Sequence, residues 1–277
     1  MINKLTGEPV SQETIHALER LKAGESIPLN EIQRLPEIKA AYSFIPNSTP
    51  TNELPNREDI RQGVFNRLQN MGSAVTDSNG AVSYSGEIRC EKRLDIVIGL
   101  PAAGKSSALA EPLSEFYKSR IIDSDEAKKL LPEYNGGWGA GVVHGESQKI
   151  SDEQLKASLK KGENITYPRV GGDCEGLKDI IEKAKSGGYK VYVHMNELDR
   201  NKALGRMISR FLETGRFLKP ELITKYGDSI DNTYKELRQS PMVDGFSKWN
   251  NDVPLGHRPK LIEYSPSCGD FCKSIKP

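Results

Sequence analysis

The stretch Leu94-Asp-Ile-Val-Ile-Gly99-Leu-Pro-Ala-Ala-Gly104-Lys105-Ser106-Ser107 constrains this chain more than any other. Largely apolar, β-branched residues lead into G-x-x-x-x-G-K-S, from Gly99 to Ser106. Such a run reads as a buried parallel strand. The Ser-Ser-Ala-Leu-Ala-Glu that follows Lys105 can open a helix. Strand, glycine loop and helix in that order form a phosphate-binding loop, in which backbone N–H groups and the helix N-terminus face a polyphosphate. The candidate nucleotide-binding residues are therefore Gly99, Leu100, Pro101, Ala102, Ala103, Gly104, Lys105, Ser106 and Ser107. Lys105 would reach the β- and γ-phosphates, and the Ser106 hydroxyl would take a Mg²⁺. A glycine turn with an incidental lysine would not need the strand in front of it.

From Arg93 onward, apolar runs alternate with helical patterns. Strands are expected at Leu94–Ile98, Ser119–Ile122, Asn164–Tyr167, Tyr189–Met195 and Lys260–Tyr264. Helices are expected around Gly104–Tyr117, Glu126–Leu131, Ser147–Lys161, Gly176–Ser186, Leu198–Thr214 and Pro220–Gln239, with Pro112 kinking the first. This alternation predicts an α/β fold with a mainly parallel sheet flanked by helices and ligands at the carboxyl ends of the strands. Ahead of it lies a helical N-terminal extension. Ser11 can cap a helix through Ile15, Leu18 and Leu21 that Gly24 ends. Asn30 can cap a second, which Pro36 breaks. Pro46 to Arg57 carries three prolines and reads as a linker. A helix is expected over Glu58–Asn70, then a hairpin turning at Asn79-Gly80. Two units result: a helical region over 1–89 and an α/β domain over 90–277.

The second expected strand ends in Ile122-Asp123-Ser124-Asp125. Two carboxylates just past a buried strand would face the crevice beside the phosphate loop. One, Asp123, could help hold Mg²⁺, and the other, Asp125, could accept a proton from an attacking hydroxyl. Either could instead cap the next helix. Arg206, Arg210 and Arg216 form a basic run; phosphoryl transfer needs guanidinium groups aimed at the transferring group. A solvated face paired with Glu197, Asp199 and Glu213 is the plainer reading, and for Arg206 the preferred one. Gly136-Gly-Trp-Gly-Ala-Gly141 reads as a flexible loop near the substrate. His144 and Glu146 follow it as candidates for substrate contact, although a lone His before a helix more often packs or caps. Pro168-Arg169-Val-Gly-Gly-Asp173 has the look of a ligand-side loop, with Arg169 a further candidate.

The balance of 39 Lys+Arg against 38 Asp+Glu gives a net charge of +1, which does not ask for nucleic acid or an anionic membrane. No apolar run approaches the ~20 residues of a membrane span, and the N-terminus lacks a secretory core. A cytoplasmic location is expected, with Cys90, Cys174, Cys268 and Cys272 as free thiols rather than zinc ligands.

Taken together, Gly99–Ser106, Ile122-Asp-Ser-Asp125, Leu131-Pro-Glu-Tyr134, Val142-Val-His144, Gly187-Gly-Tyr-Lys-Val-Tyr-Val193, Ser209-Arg210-Phe and Thr214-Gly-Arg216 resemble the zeta toxin family in order and spacing. That family supplies the kinase half of bacterial epsilon/zeta toxin–antitoxin systems. The resemblance runs from about residue 92 to 265 and implies a P-loop kinase fold. It further implies ATP as donor, with GTP as the alternative, and Mg²⁺. Asp125 would be the base toward a sugar hydroxyl, Lys105 the phosphate-loop lysine, and Arg210 and Arg216 the stabilisers of the γ-phosphoryl. The implied reaction phosphorylates UDP-N-acetylglucosamine and starves wall synthesis. One departure stands out: zeta toxins carry a Glu near the end of the third strand, where this chain has Thr166-Tyr-Pro-Arg169. Another nucleotide sugar or an antibiotic is then the alternative acceptor. Epsilon antitoxins are small helical proteins that occlude the nucleotide site. Either such a separate antitoxin or residues 1–89 acting in cis could restrain the kinase. A nucleotide-binding switch would want an N-K-x-D motif, which this chain lacks.

Overall fold

The computed structural model describes residues 1–3, 6–44, 49–254 and 257–274. Three helices open the chain: α1 (Gln12–Lys22), α2 (Leu29–Ile32) and α3 (Pro36–Phe44). Ser11 caps α1 by accepting from Thr14 N–H. Glu37 of α3 accepts from the Ser11 backbone and hydroxyl and from the Thr14 hydroxyl, tying the two helices together. Pro28, not Asn30, stands at the N-cap of α2. Pro36 does not end a helix but begins α3, where its missing N–H costs nothing.

The expected linker is exposed over most of its described residues but is anchored at two points. Its residues 46–48 lie outside the described residues, but Thr51 is fully buried and donates to the Val142 carbonyl at 3.0 Å. Arg57 is 7% exposed, held by Glu133 and Glu146. It leads into α4 (Glu58–Gln69), whose Val64 and Leu68 pack against Ala127, Leu131, Val143 and Ile150. The hairpin of β1 (Ser73–Thr76) and β2 (Val82–Gly86) forms as expected, with Asp77 accepting from the N–H groups of Asn79 and Ala81 in its turn.

The main sheet follows: β3 (Arg93–Ile98), β4 (Arg120–Ile121), β5 (Ile165–Arg169), β6 (Lys190–Glu197), β7 (Gly245–Asn250) and β8 (Lys260–Tyr264). Its order is β4-β5-β3-β6-β7-β8, parallel except for the last, antiparallel edge strand. Strand β7 escaped the sequence reading. Helix α5 (Glu111–Tyr117) follows β3, and α6 (Ser124–Leu130) follows β4. Between β4 and β5 comes α7 (His144–Lys161); α8 (Cys174–Ser186) follows β5. Helices α9 (Arg200–Thr214) and α10 (Glu221–Leu237) connect β6 to β7, and α11 (Gly269–Ser274) ends the described chain. Helices thus connect the parallel strands, as parallel pairing requires.

The N-terminal helices add no strand, yet they share the main core. Leu21, Ile32 and Ile38 are at most 1% exposed and lie in one apolar cluster with Leu94, Ile96, Ile98, Met207 and Phe211. Tyr42 Oη donates to Glu221 at the start of α10, and its ring meets Phe217 edge-on at 5.2 Å. No described helix is long and apolar enough to cross a membrane.

Candidate active site

The loop after β3 is held from behind. The Ala103 carbonyl accepts from the side-chain amides of Asn196 (2.8 Å) and Asn251 (2.6 Å), at the ends of β6 and β7. In a trans peptide the N–H opposes the carbonyl. Pinning the Ala103 oxygen outward therefore turns the Gly104 N–H inward, where a phosphate oxygen would lie. Gly104 itself has φ +83°, and a Cβ there would stand 2.6 Å from the Asn251 amide nitrogen, so glycine is required on both counts. Lys105 Nζ donates to the carbonyls of Gly99 and Leu100, both at 2.9 Å, folding over its own loop. Burial brings its ammonium down to about 8. Instead of a kink at Pro112 alone, a π-helical turn over Ser106–Ala110 precedes α5. The wider turn makes room for a proline that cannot donate a backbone hydrogen bond.

Asp123 caps α6 by accepting from Asp125 N–H at 2.9 Å, so the capping reading is realised at this residue. Burial, reinforced by the charge of Asp125, raises its carboxyl to about 6. Burial would raise Asp125 as well, but Arg216 at 2.5 Å and Lys128 at 3.0 Å outweigh it and hold that carboxyl well below its ordinary value. Arg210, just before the last turn of α9, has no hydrogen bond or ion pair from its guanidinium among the described residues. Arg216 follows the left-handed cap Gly215, is buried, and leaves its Nε without a partner. Two guanidinium groups with spare donors thus converge on the carboxylate and the phosphate loop.

Arg206 does not join the acidic side chains expected for it. It donates to the carbonyls of Asn251 (3.1 Å) and Val253 (3.4 Å) and fastens the connection after β7. Glu146 corrects a second expectation. Its side chain is fully buried, bound twice by Arg57 and once by Arg61, and it does not line the cavity. The glycine patch is not an open loop either: Gly137 backs so closely on Thr214–Arg216 that a Cβ would lie 2.8 Å from the Arg216 nitrogen. It therefore buttresses the segment carrying Arg216. His144, Arg169, Lys105, Ser106, Asp123, Asp125, Arg210 and Arg216 all line one cavity of about 2890 Å³. That volume is several times the ~300–1,000 Å³ of a single small-ligand pocket and leaves room for a nucleotide and an acceptor together. Asn196, Asn251 and Lys128 were not singled out from the sequence, because isolated polar residues carry no motif.

The Zeta toxin family model matches residues 87–246. Among solved structures, a chain of the PezAT chromosomal toxin–antitoxin system of Streptococcus pneumoniae superposes with a TM-score of 0.58 at 12% identity, covering 80% of this chain and 89% of that one. Chains of AvrRxo1-ORF1:AvrRxo1-ORF2 superpose at 17% identity: one determined with sulphate ions (TM-score 0.55, 87% and 77% covered) and one with ATP (0.54, 82% and 74%). At these identities they establish the fold. No curated protein matches the sequence significantly. The phosphate loop, the paired aspartates and the two arginines all fall inside the matched segment, and the chain belongs to the zeta toxin family.

Proposed function

We propose that this chain is an ATP-dependent kinase that phosphorylates a hydroxyl of a small acceptor, acting as a toxin by depleting it. The observation that carries the reading is the convergence of Lys105, Asp125, Arg210 and Arg216 on one cavity with room for two ligands. The Gly99–Ser107 loop would hold the triphosphate. Arg210 and the free Nε of Arg216 would meet the charge on the transferring phosphoryl, where fixed cations are worth most. Asp125 would orient the acceptor hydroxyl and take its proton. A depressed carboxylate suits this, because proton transfer comes late when the transferring group is loosely bound. The Ser106 hydroxyl, without a hydrogen bond among the described residues, and the buried, charge-crowded Asp123 line the same space and offer hard oxygens that fit Mg²⁺. Bound there, Mg²⁺ would supply neutralisation of the phosphate charge.

UDP-N-acetylglucosamine is the acceptor the family suggests. A second reading, another phosphorylatable hydroxyl compound, is favoured by Arg169 at the end of β5. The toxin–antitoxin neighbours support a protein antitoxin as partner. Restraint in cis by the N-terminal region, residues 1–89, is the further reading. Ile15, Leu18, Glu19 and Lys22 line the same cavity, but the Gly24 carbonyl accepts from Asn201 of α9, and Gln33 and Tyr42 donate to Glu221 of α10, away from the phosphate loop. Mass spectrometry of the protein with ATP and a panel of nucleotide sugars tests the proposal. Phosphoryl transfer that survives Lys105→Ala at the parent rate would overturn the phosphate-loop assignment.

A further inference from the structure

In the sheet, β5 lies between β3, which carries the phosphate loop, and β4, which leads to Asp123 and Asp125. Ile98, the last residue before the loop, pairs with Arg169, the last of β5. An acceptor reaching from Asp125 toward a γ-phosphate on the loop therefore passes over Arg169. The guanidinium of Arg169 stacks on the Tyr167 ring at 4.2 Å and contacts its hydroxyl. Its one ion pair among the described residues is with Asp152 at 3.4 Å, and Asp152 is 56% exposed, so solvent screens the pair. Stacking restricts the group, and its Nε and Nη1 have no hydrogen-bond partner among the described residues.

Lys128 and Arg216 share the two oxygens of Asp125. Lys105, Arg210 and the remaining donors of Arg216 face the place of the triphosphate. Arg169 is the cavity-lining guanidinium at the end of β5, between the strand of the loop and the strand that leads to Asp125. A planar, pre-oriented guanidinium is suited to bidentate binding of phosphate or carboxylate, and a neutral sugar gives it no counter-charge. We infer that the acceptor carries an anionic group, phosphate or carboxylate, near the hydroxyl it presents to Asp125, and that Arg169 binds that group. The inference rests on the kinase reading above.

The test uses the full chain with labelled ATP and paired acceptors: glucose, glucose 1-phosphate and glucuronate; N-acetylglucosamine and UDP-N-acetylglucosamine. Transfer to each is measured as kcat/KM in the parent, Arg169→Gln and Arg169→Lys. Anionic members should exceed their neutral partners by about tenfold or more, the worth of one charge-assisted pair. Glucuronate against glucose 1-phosphate tells carboxylate from phosphate. Arg169→Gln should bring charged and neutral members within about threefold of each other, mainly through the KM of the charged member; Arg169→Lys should keep part of the preference. Equal use of charged and neutral acceptors by the parent overturns the inference. So does an Arg169→Gln variant that loses kcat on both alike, or ATP hydrolysis that no anionic member accelerates. A parent that splits no ATP under any condition refutes the kinase reading itself, and this inference with it.

Discussion

Arg57 is the residue whose removal most sharply tests how the first sixty residues are joined to the rest. It donates to both oxygens of Glu146, at 3.0 and 2.6 Å, and to both of Glu133, at 2.6 and 3.0 Å. Glu146 is fully buried, whereas Glu133 is 36% exposed. The change Arg57→Met preserves the stem and removes the charge. Water can reach Glu133, so that half of the cluster contributes about 1 kcal/mol at most. Glu146 keeps Arg61, at 3.3 Å, and the hydrogen bond from Thr51. Breaking a buried pair by removing one partner costs about 3–5 kcal/mol, and the remaining arginine places this case near 3 kcal/mol.

The pH dependence adds a sign. Burial would raise the Glu146 carboxyl, but Arg57, Thr51 and Arg61 outweigh it and hold it below its ordinary value in the parent. Its stabilising contribution is therefore present above the ordinary carboxylate range and fades as pH falls through the lower folded value. In Arg57→Met the same carboxyl is buried without compensation, so its folded value moves up. The deficit of the variant is then largest near neutral pH and shrinks as Glu146 is protonated in every state. Urea unfolding at neutral and mildly acidic pH, with the m-value checked for constancy, measures this. A deficit under about 1 kcal/mol at neutral pH, or one that does not change on acidification, would refute the reasoning. The double change Arg57→Met with Glu146→Leu should recover most of the loss, since apolar replacement of a buried pair is often neutral.

Asp125→Asn should lower kcat about 10²–10⁴-fold, as expected of a general base, while Asp123→Asn should weaken transfer chiefly by raising the Mg²⁺ requirement; the reverse pattern would move the base to Asp123. Asn251→Leu removes one of the two donors on the Ala103 carbonyl and should raise the KM for ATP about tenfold with little change in melting temperature, so an unchanged KM would show that Asn196 alone suffices. Deleting residues 1–56 strips Leu21, Ile32 and Ile38 from the shared core. It should leave a protein that melts at lower temperature or precipitates, and a soluble truncation with raised specific activity would instead establish restraint in cis.

The central strands were legible because a parallel strand buried on both faces reads as a mostly apolar run; Asp95 alone interrupts Leu94–Ile98, and Lys190 and His194 leave the β-branched and aromatic majority of Tyr189–Met195 intact. Strand β7 was not, for a physical reason. Its Ser247 is fully buried and hydrogen-bonds the His194 ring at 2.7 Å, and Trp249 Nε1 donates to the same hydroxyl. The same network takes in His194 and Asp95, but β6 and β3 keep enough apolar neighbours to be read as strands, whereas β7 has only Phe246 and Trp249 among Ser247, Lys248 and Asn250. At the site, the residues that local context announces were the ones found: the loop, the aspartates just past a strand end, and the arginines around a helix end. Those that depend on strand register were hidden. Asn196 and Asn251 reach one carbonyl because β6 and β7 pair Glu197 with Asn250, and nothing near either asparagine in sequence encodes that pairing.

The same limit explains the N-terminal helices. Their apolar periodicity was readable, but not the surface they cover. Leu21 sits against Gly205, where a Cβ would stand only 3.1 Å away, so α1 presses closely on the helix that also carries Arg206 and Arg210. The ring of Phe217, next to Arg216, lies edge-on to both Tyr42 and Phe211 at 5.2 Å. Helices α1 and α3 therefore brace the two ends of the arginine-bearing segment. A change in how they pack would reach Arg210 and Arg216 before it reached the phosphate loop. Any control exerted through residues 1–44 would then act by positioning the cations that face the transferring phosphoryl, and would be read in kcat before it is read in ATP affinity.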